Sequence, residues 1–340
     1  MQRITIADIA REAGVSTGAV SYALNGRAGV SDETRRRILE IARNLGWEPS
    51  QAARSLSGAG AEAIGMVLAR SPETLGFESF FMQFIAGIEQ VISQRSFALL
   101  LQVVPDIEAE MRTYRRWRAA GRVDGVLVVD ARENDPRLPL FTEDDSLPAV
   151  FVGNPEFATG VTSVWTDDAA AVQETVRYLT ALGHRRIGRV SGNASFGHVH
   201  IRDIAFAEEV AARGGQSVIS RADFTPEQGA AATRRLLTAP EPVTAILFDN
   251  DVMALAGLSA TQELGVRVPH DVSLVAWNGS PLCDAAFPPL TTLSHDVTAF
   301  GAHAARRLLD RIDGAAPESF PDTAPVLRVR GSTGPSPAGR

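Results

Sequence analysis

The chain has one cysteine, Cys283, and no lysine among its 340 residues. A single thiol excludes an internal disulfide and a cysteine-rich zinc site, and reads as a small, semi-buried apolar side chain. No run approaches the roughly 18 apolar residues that suggest a membrane-spanning helix. The opening Met-Gln-Arg is polar, without the apolar core of a secretory leader, so the expected location is cytoplasmic. Arginine carries every basic side-chain charge, which reads as genomic bias rather than function. The net charge of −7 argues on its face against nucleic acid. That charge is uneven, however. Residues 1–60 hold eight arginines against six acids (+2), and the remainder holds 25 against 34 (−9). A mildly basic head on an acidic body fits a modular protein whose head alone meets phosphate. With 45% hydrophobic and 21% charged residues, the composition is that of a globular protein long enough for two or three cores.

In the head, Ile4 to Asn25 reads as two short helices joined by a tight turn. Thr5 is placed to cap the first, with Asp8 completing a capping box. Ile6, Ile9, Ala10 and Ala13 then share one face. Gly14 can take the left-handed conformation that ends a helix, and Ser16 caps the next. Ala19, Val20, Ala23 and Leu24 face inward in that second helix. Thr17, Gly18, Ser21 and Tyr22 stay outward, a face slim enough to enter a DNA major groove. A plain αα-hairpin is the competing reading. Ser31 starts a third helix with an Ile38, Ile41, Ala42, Leu45 stripe, on which Arg35, Arg36 and Arg37 are phosphate contacts or a solvated face.

Pro49 to Gly60 holds a helix-competent run too short to stand alone in water, followed by Gly and Ser; a flexible linker is its plain alternative. From Glu62, apolar strands alternate with amphipathic helices. The strands are Ile64–Ala69, Phe97–Val103, Val123–Val129, Ala149–Val152, Arg186–Val190, Ser217–Ser220, Ala245–Phe248, Ser273–Ala276 and Val326–Val329. Helices expected between them include Phe80–Gln94, Ile201–Ala212 and Val297–Ile312. With a break near Gly160–Ser163, this predicts an α/β fold of two doubly wound parallel lobes, with a ligand cleft at the strands' carboxyl ends.

The order of helix-turn-helix, linker and two lobes resembles the lactose-repressor/galactose-repressor (LacI/GalR) family of bacterial transcription regulators. The likeness rests on TIADIAREAGVSTGAVSYALNG, VSDETRRRILEIARNLGWEPSQAARSL, LGHRRIG (182–188), NDVMALAG (250–257) and VPHDVSLVAWN (268–278). It implies a helix-turn-helix DNA-binding domain over 1–48 and a hinge helix and linker over 49–60. It further implies an N-terminal lobe over 61–162 and 292–322, and a C-terminal lobe over 163–291 and 323–331, both of periplasmic-binding-protein type. Residues 332–340 are left as a flexible tail.

The implied DNA contacts are Thr5, Ser16, Thr17, Gly18, Ser21, Tyr22 and Asn25, with base reading resting mainly on Thr17 and Tyr22. In the hinge, Leu56 matches a leucine that wedges into the minor groove, with Ala53 one turn before it. The implied effector residues are Arg202, Asn250, Asn278, Phe224, His200 and Ser71; Phe224 reads equally as core, and Asp251 as a helix cap. Where the family commonly has Asp after a glycine-aromatic pair, this chain has Ala276-Trp277-Asn278. An amide donates as well as accepts, so hydroxyl recognition differs. An altered sugar, a nucleoside, a phosphorylated ligand or no small ligand remain open.

The expected protein is a homodimeric repressor on a pseudo-palindromic operator, controlled by a sugar or related metabolite and needing no metal or cofactor. No nucleophile elbow, zinc spacing or phosphate loop supports an enzyme. A two-lobed solute-binding protein without DNA function is the alternative.

Overall fold

A computed structural model describes residues 4–47, 60–71, 76 and 79–337. The expected hinge helix, including Ala53 and Leu56, lies outside these. The chain divides into two compact units, Met1–Ala61 and Glu62–Arg340. Among the described residues no helix is long and apolar enough to cross a membrane.

The first unit contains α1 (Ile6–Ala13), α2 (Thr17–Leu24) and α3 (Asp32–Asn44). Local signals set each end. The Thr5 hydroxyl accepts from the Asp8 amide, while the Asp8 carboxylate accepts from the Thr5 amide at 2.9 Å, a closed capping box. Gly14, at φ 64°, ends α1 left-handed; Ser16 Oγ accepts from the Ala19 amide at 3.1 Å to start α2. Ile9, Ala13, Val20, Ala23, Ile38 and Ala42 form the buried centre. All four arginines on α3 hold the domain's own backbone: Arg37 donates to the Ala13 carbonyl at 3.1 Å and Arg35 to that of Arg27 at 2.6 Å, while Arg36 and Arg43 donate to carbonyls one turn back in the helix.

The second unit begins with β1 (Ala63–Ala69), α4 (Ser79–Ile92), β2 (Ala98–Val104), α5 (Ile107–Ala119), β3 (Gly125–Val128), α6 (Pro139–Thr142), β4 (Ala149–Val152) and β5 (Thr162–Trp165). It continues through α7 (Asp168–Ala181), β6 (Arg186–Ser191), α8 (Gly197–Ala212), β7 (Gln216–Arg221), α9 (Pro226–Leu237), β8 (Ala245–Phe248) and α10 (Asp251–Glu263). Last come β9 (Ser273–Trp277), α11 (Pro281–Ala285), β10 (Thr291–Ser294), α12 (Val297–Ile312), β11 (Ser319–Pro321) and β12 (Val326–Arg328). Two six-stranded sheets result, ordered β11-β5-β4-β3-β1-β2 and β12-β10-β9-β8-β6-β7. Every pairing is parallel except β10 with β12. Helices cover the sheets, as continuous Val/Ile/Leu strands require.

The structure moves three expected boundaries. The break expected near Gly160–Ser163 overlaps β5 (Thr162–Trp165) of the N-terminal sheet, so that lobe runs past 162. Thr292–Ser294, assigned to the N-terminal lobe, belongs to β10 of the C-terminal sheet. Both strands are rich in Thr and Ser, whose buried hydroxyls find partners, such as Ser163 Oγ on Ser319 Oγ at 3.1 Å. The third boundary is the tail expected to be flexible from 332. Ser332 is fully buried; its hydroxyl donates to the Leu274 carbonyl at 2.6 Å and its carbonyl accepts from the Leu274 amide at 2.9 Å. Gly334 takes its place beside the buried His184, which also meets Thr244 and Ser273.

Candidate functional site

On α2, burial of Val20 and Ala23 turns the opposite face outward. Ser16, Thr17, Gly18, Tyr22 and Asn25 are exposed, and Ser21 is half-buried. Tyr22 keeps 45% of its surface exposed, so its ring and hydroxyl are open to a partner. Gly29, at φ 119°, lets the backbone pass close under its ring. Two of the expected DNA contacts already have partners: the Asn25 amide donates to the Ser21 carbonyl at 2.9 Å, and at the start of α1 the Thr5 hydroxyl donates to Asp8 at 2.7 Å.

In the body, the carboxyl ends of the strands converge on one cleft between the lobes. Arg202, Asn250, Asn278 and Phe224 all line it, whereas His200 and Ser71 do not. His200 is exposed on α8, edge-on to Phe157 of the N-terminal lobe. That helix starts at Gly197, four residues before the expected Ile201. This places His198 one turn ahead of Arg202 on the cleft side. Burial, with Arg202 close by, pushes the His198 imidazole down to about 4, so it is neutral at physiological pH.

Arg202 is buried and held from three sides. It donates to Asp168 at 2.8 Å and to Asp249 at 3.2 Å, and its guanidinium lies 3.6 Å from the Trp277 ring centroid. Asp249 also accepts from Arg189 at 2.6 Å and from the Gly192 amide at 2.7 Å. Burial would raise the Asp249 carboxyl, but Arg189 and Arg202 outweigh it and hold it down at about 2. Asp203 continues the chain of charges, bridging Arg189 and Arg221.

The facing wall comes from residues that sequence reasoning missed. Arg70 follows β1 and forks onto Asp130, after β3, with bonds of 2.9 and 2.8 Å. Its guanidinium crosses to the C-terminal lobe, 4.6 Å from the Phe196 centroid and 4.9 Å from Phe224. Burial would raise Asp130, yet Arg70 lowers it below the usual carboxylate range. Asp130 sits at φ 54°, held there in part by Arg137, which donates to its carbonyl. Both Arg70 and Asp130 lie just past the carboxyl ends of strands, the signal that could have found them.

Asn250 is more than a lining residue: its Oδ1 caps α10 through the Met253 amide at 2.8 Å, and its Nδ2 donates to the Phe224 carbonyl at 3.0 Å. That bond secures Phe224 at φ 71°. Asn278 also has a positive φ, 63°, which Asn tolerates better than most residues. Its half-buried amide lines the cleft and hydrogen-bonds no other described residue.

A small helix-turn-helix reader and a two-lobed body with a polar, aromatic cleft define a ligand-responsive DNA-binding regulator. Comparison with known proteins agrees. Residues 5–50 match the bacterial regulatory proteins of the lacI family, and residues 176–333 match the periplasmic binding protein-like domain. The transcriptional repressor PurR of Shigella sonnei is 33% identical over 313 residues, covering 91% of this chain and 90% of PurR. Among solved structures, the CelR–cellobiose complex covers 97% of this chain and 100% of its own at 29% identity and TM-score 0.73. The lac repressor dimer bound to operator and the anti-inducer ONPF covers 98% and 100% at 25% identity, TM-score 0.83. The chain belongs to the lacI family and is a DNA-binding transcriptional regulator, not an enzyme.

Proposed function

We propose that the protein is a cytoplasmic, homodimeric repressor whose operator affinity is set by a sugar or sugar derivative bound in the interlobe cleft. The observation that carries this reading is the exposed Thr17–Tyr22 face of α2 on a chain whose body gathers convergent polar groups between two lobes. Thr17 and Tyr22 read base edges, Ser16 and Ser21 sit toward phosphate, and Leu56 acts from the hinge. Arg202 and Asn278 meet the effector directly, with Asn250 and Phe224 shaping the wall behind it.

Dimerisation is supported by apolar side chains left outside. Leu101 and Val103 on the edge strand β2 are each 41% exposed, and Phe287 in the C-terminal lobe is 87% exposed. Such surface on an edge strand is suited to a second copy. A saccharide is the ligand of the CelR neighbour, and the same class suits a cleft of paired donors and acceptors beside aromatic rings. The effector changes lobe closure and thereby biases the linker, which requires that it prefer one closure state.

Deleting residues 1–60 should abolish operator binding in a gel-shift assay while effector binding to the body persists. Tyr22→Ala in the full chain should cut specific binding about 10- to 100-fold, as loss of one base contact does, with little change in non-specific binding. Operator affinity retained by the truncated protein would refute the modular reading.

A further inference from the structure

Two arginines line the cleft, one from each lobe, and arginine is the side chain that most often forks onto phosphate and carboxylate ligands. Here each is already spent on carboxylates of the protein. The N-terminal lobe contributes Arg70, forked on Asp130; the C-terminal lobe contributes Arg202, shared between Asp168 and Asp249. Behind them Arg189 and Arg221 are paired with Asp203. Four arginines thus meet four aspartates, and the network carries no net charge to offer an anion. The histidine beside it, His198, is neutral at physiological pH. Arg132 also reaches Phe196, at 5.2 Å, but does not line the cleft.

The same pairs have a second consequence. An arginine N–H beside a carboxylate oxygen is a donor next to an acceptor, the pattern a hydroxyl group satisfies on both sides. Asn278 repeats it with one amide. In the C-terminal lobe one face of each ring is meanwhile taken, Trp277 by Arg202 and Phe224 by Arg70, which leaves less ring surface for stacking on that wall.

We infer that this cleft selects an uncharged, hydroxyl-rich effector and excludes phosphorylated or carboxylated ones, because each lobe's arginine is neutralised by an aspartate of its own wall. The inference rests on the effector-controlled reading above and narrows it. An anion entering the cleft must either displace one of those aspartates or remain beside it uncompensated. Either way, a phosphate ester should bind at least about 100-fold more weakly than its neutral parent.

The test is thermal unfolding of the full chain with inorganic phosphate against chloride at matched ionic strength, alongside the pairs glucose and glucose 6-phosphate, ribose and ribose 5-phosphate, and neutral disaccharides. The wild-type midpoint should not respond to phosphate, whereas Asp130→Asn or Asp168→Asn, each leaving an arginine underpaired, should gain a phosphate-dependent rise. A rise in the wild type that Arg70→Ala removes would overturn the inference, as would any phosphate ester binding more tightly than its parent. Variants as unresponsive as the wild type would overturn it too, since pairing would not then be what keeps anions out. If phosphate behaves as expected but no neutral ligand binds, the failure falls on the effector-controlled reading rather than on the charge of the cleft.

Discussion

Asp249→Asn removes one charge from the middle of a buried chain of ion pairs and leaves its neighbours in place. One carboxylate oxygen of Asp249 accepts from both Arg189 and Arg202, and the other from the Gly192 amide. An asparagine has a single acceptor oxygen and must turn its NH2 toward an arginine or a backbone N–H. Arg189 is fully buried and would keep Asp203 as its carboxylate partner. Breaking one side of a buried pair costs about 3–5 kcal/mol. A separate estimate comes from protonation: the folded protein holds this carboxyl at about 2, against an ordinary 3.8, so ionised Asp249 contributes about 2 kcal/mol at neutral pH. Because the folded value is the lower one, that stability is present above pH 4 and lost as pH falls toward 2. Urea unfolding followed by tryptophan fluorescence should therefore show a wild-type advantage of about 3–5 kcal/mol at pH 7. It should narrow by about 1 kcal/mol at pH 3, where this carboxyl is mostly protonated in the unfolded chain while the folded protein still holds it ionised. An advantage below about 1 kcal/mol at pH 7, or one unchanged between pH 7 and pH 3, would refute the account of Asp249 as the charge at the centre of this network.

Two further substitutions probe the frame that carries the cleft. Helices α4 and α12 cross at Gly87 and Gly301. A methyl at Gly87 would fall on the Thr298 carbonyl and within 2.9 Å of the Ala302 nitrogen, and one at Gly301 on the Phe84 carbonyl. Backbone cannot yield as a side chain does, so Gly87→Ala and Gly301→Ala should each cost about 3 kcal/mol, against the roughly 1 kcal/mol by which alanine favours an open helix. A thermal midpoint within about 2 °C of wild type would show the helices to be further apart than this. Stopping the chain after Gly331 should destabilise the body by about 3 kcal/mol, since it strips partners from the Leu274 and Thr291 amides and from His184. A truncated chain with an unchanged unfolding midpoint would restore the flexible tail.

Where the sequence could be read, the physics was local. The caps at Thr5, Ser16 and Ser31 and the stop at Gly14 each depend on side chains within three or four residues, so the helix-turn-helix follows from spacing alone. The strands buried on both faces were legible for the same reason: β8, Ala-Ile-Leu-Phe, is apolar throughout and wholly buried. Strands β5 and β10 were not, because their Thr and Ser are buried through hydroxyl bonds to partners far along the chain, and hydropathy cannot anticipate that. The tail fails similarly. Its Pro, Gly and Ser suggest a free end, yet Ser332 is fixed by backbone and hydroxyl bonds that composition does not encode.

The cleft shows what resemblance adds and where it stops. Arg202 could be picked out by motif, but its meaning lies in Asp168 and Asp249, 34 and 47 residues away and joined to it only by the sheet order. A fork identified alone invites an anion; a fork already filled by two aspartates rejects one. Asn278 reverses in the same way. As a departure from the family pattern it put a simple hexose in doubt, whereas beside two charge-paired arginines its amide is one more hydroxyl-matching group in a cleft without net positive charge. The chemistry of the site thus depends on which partners topology delivers to each arginine, and the identity of the arginine alone does not decide it.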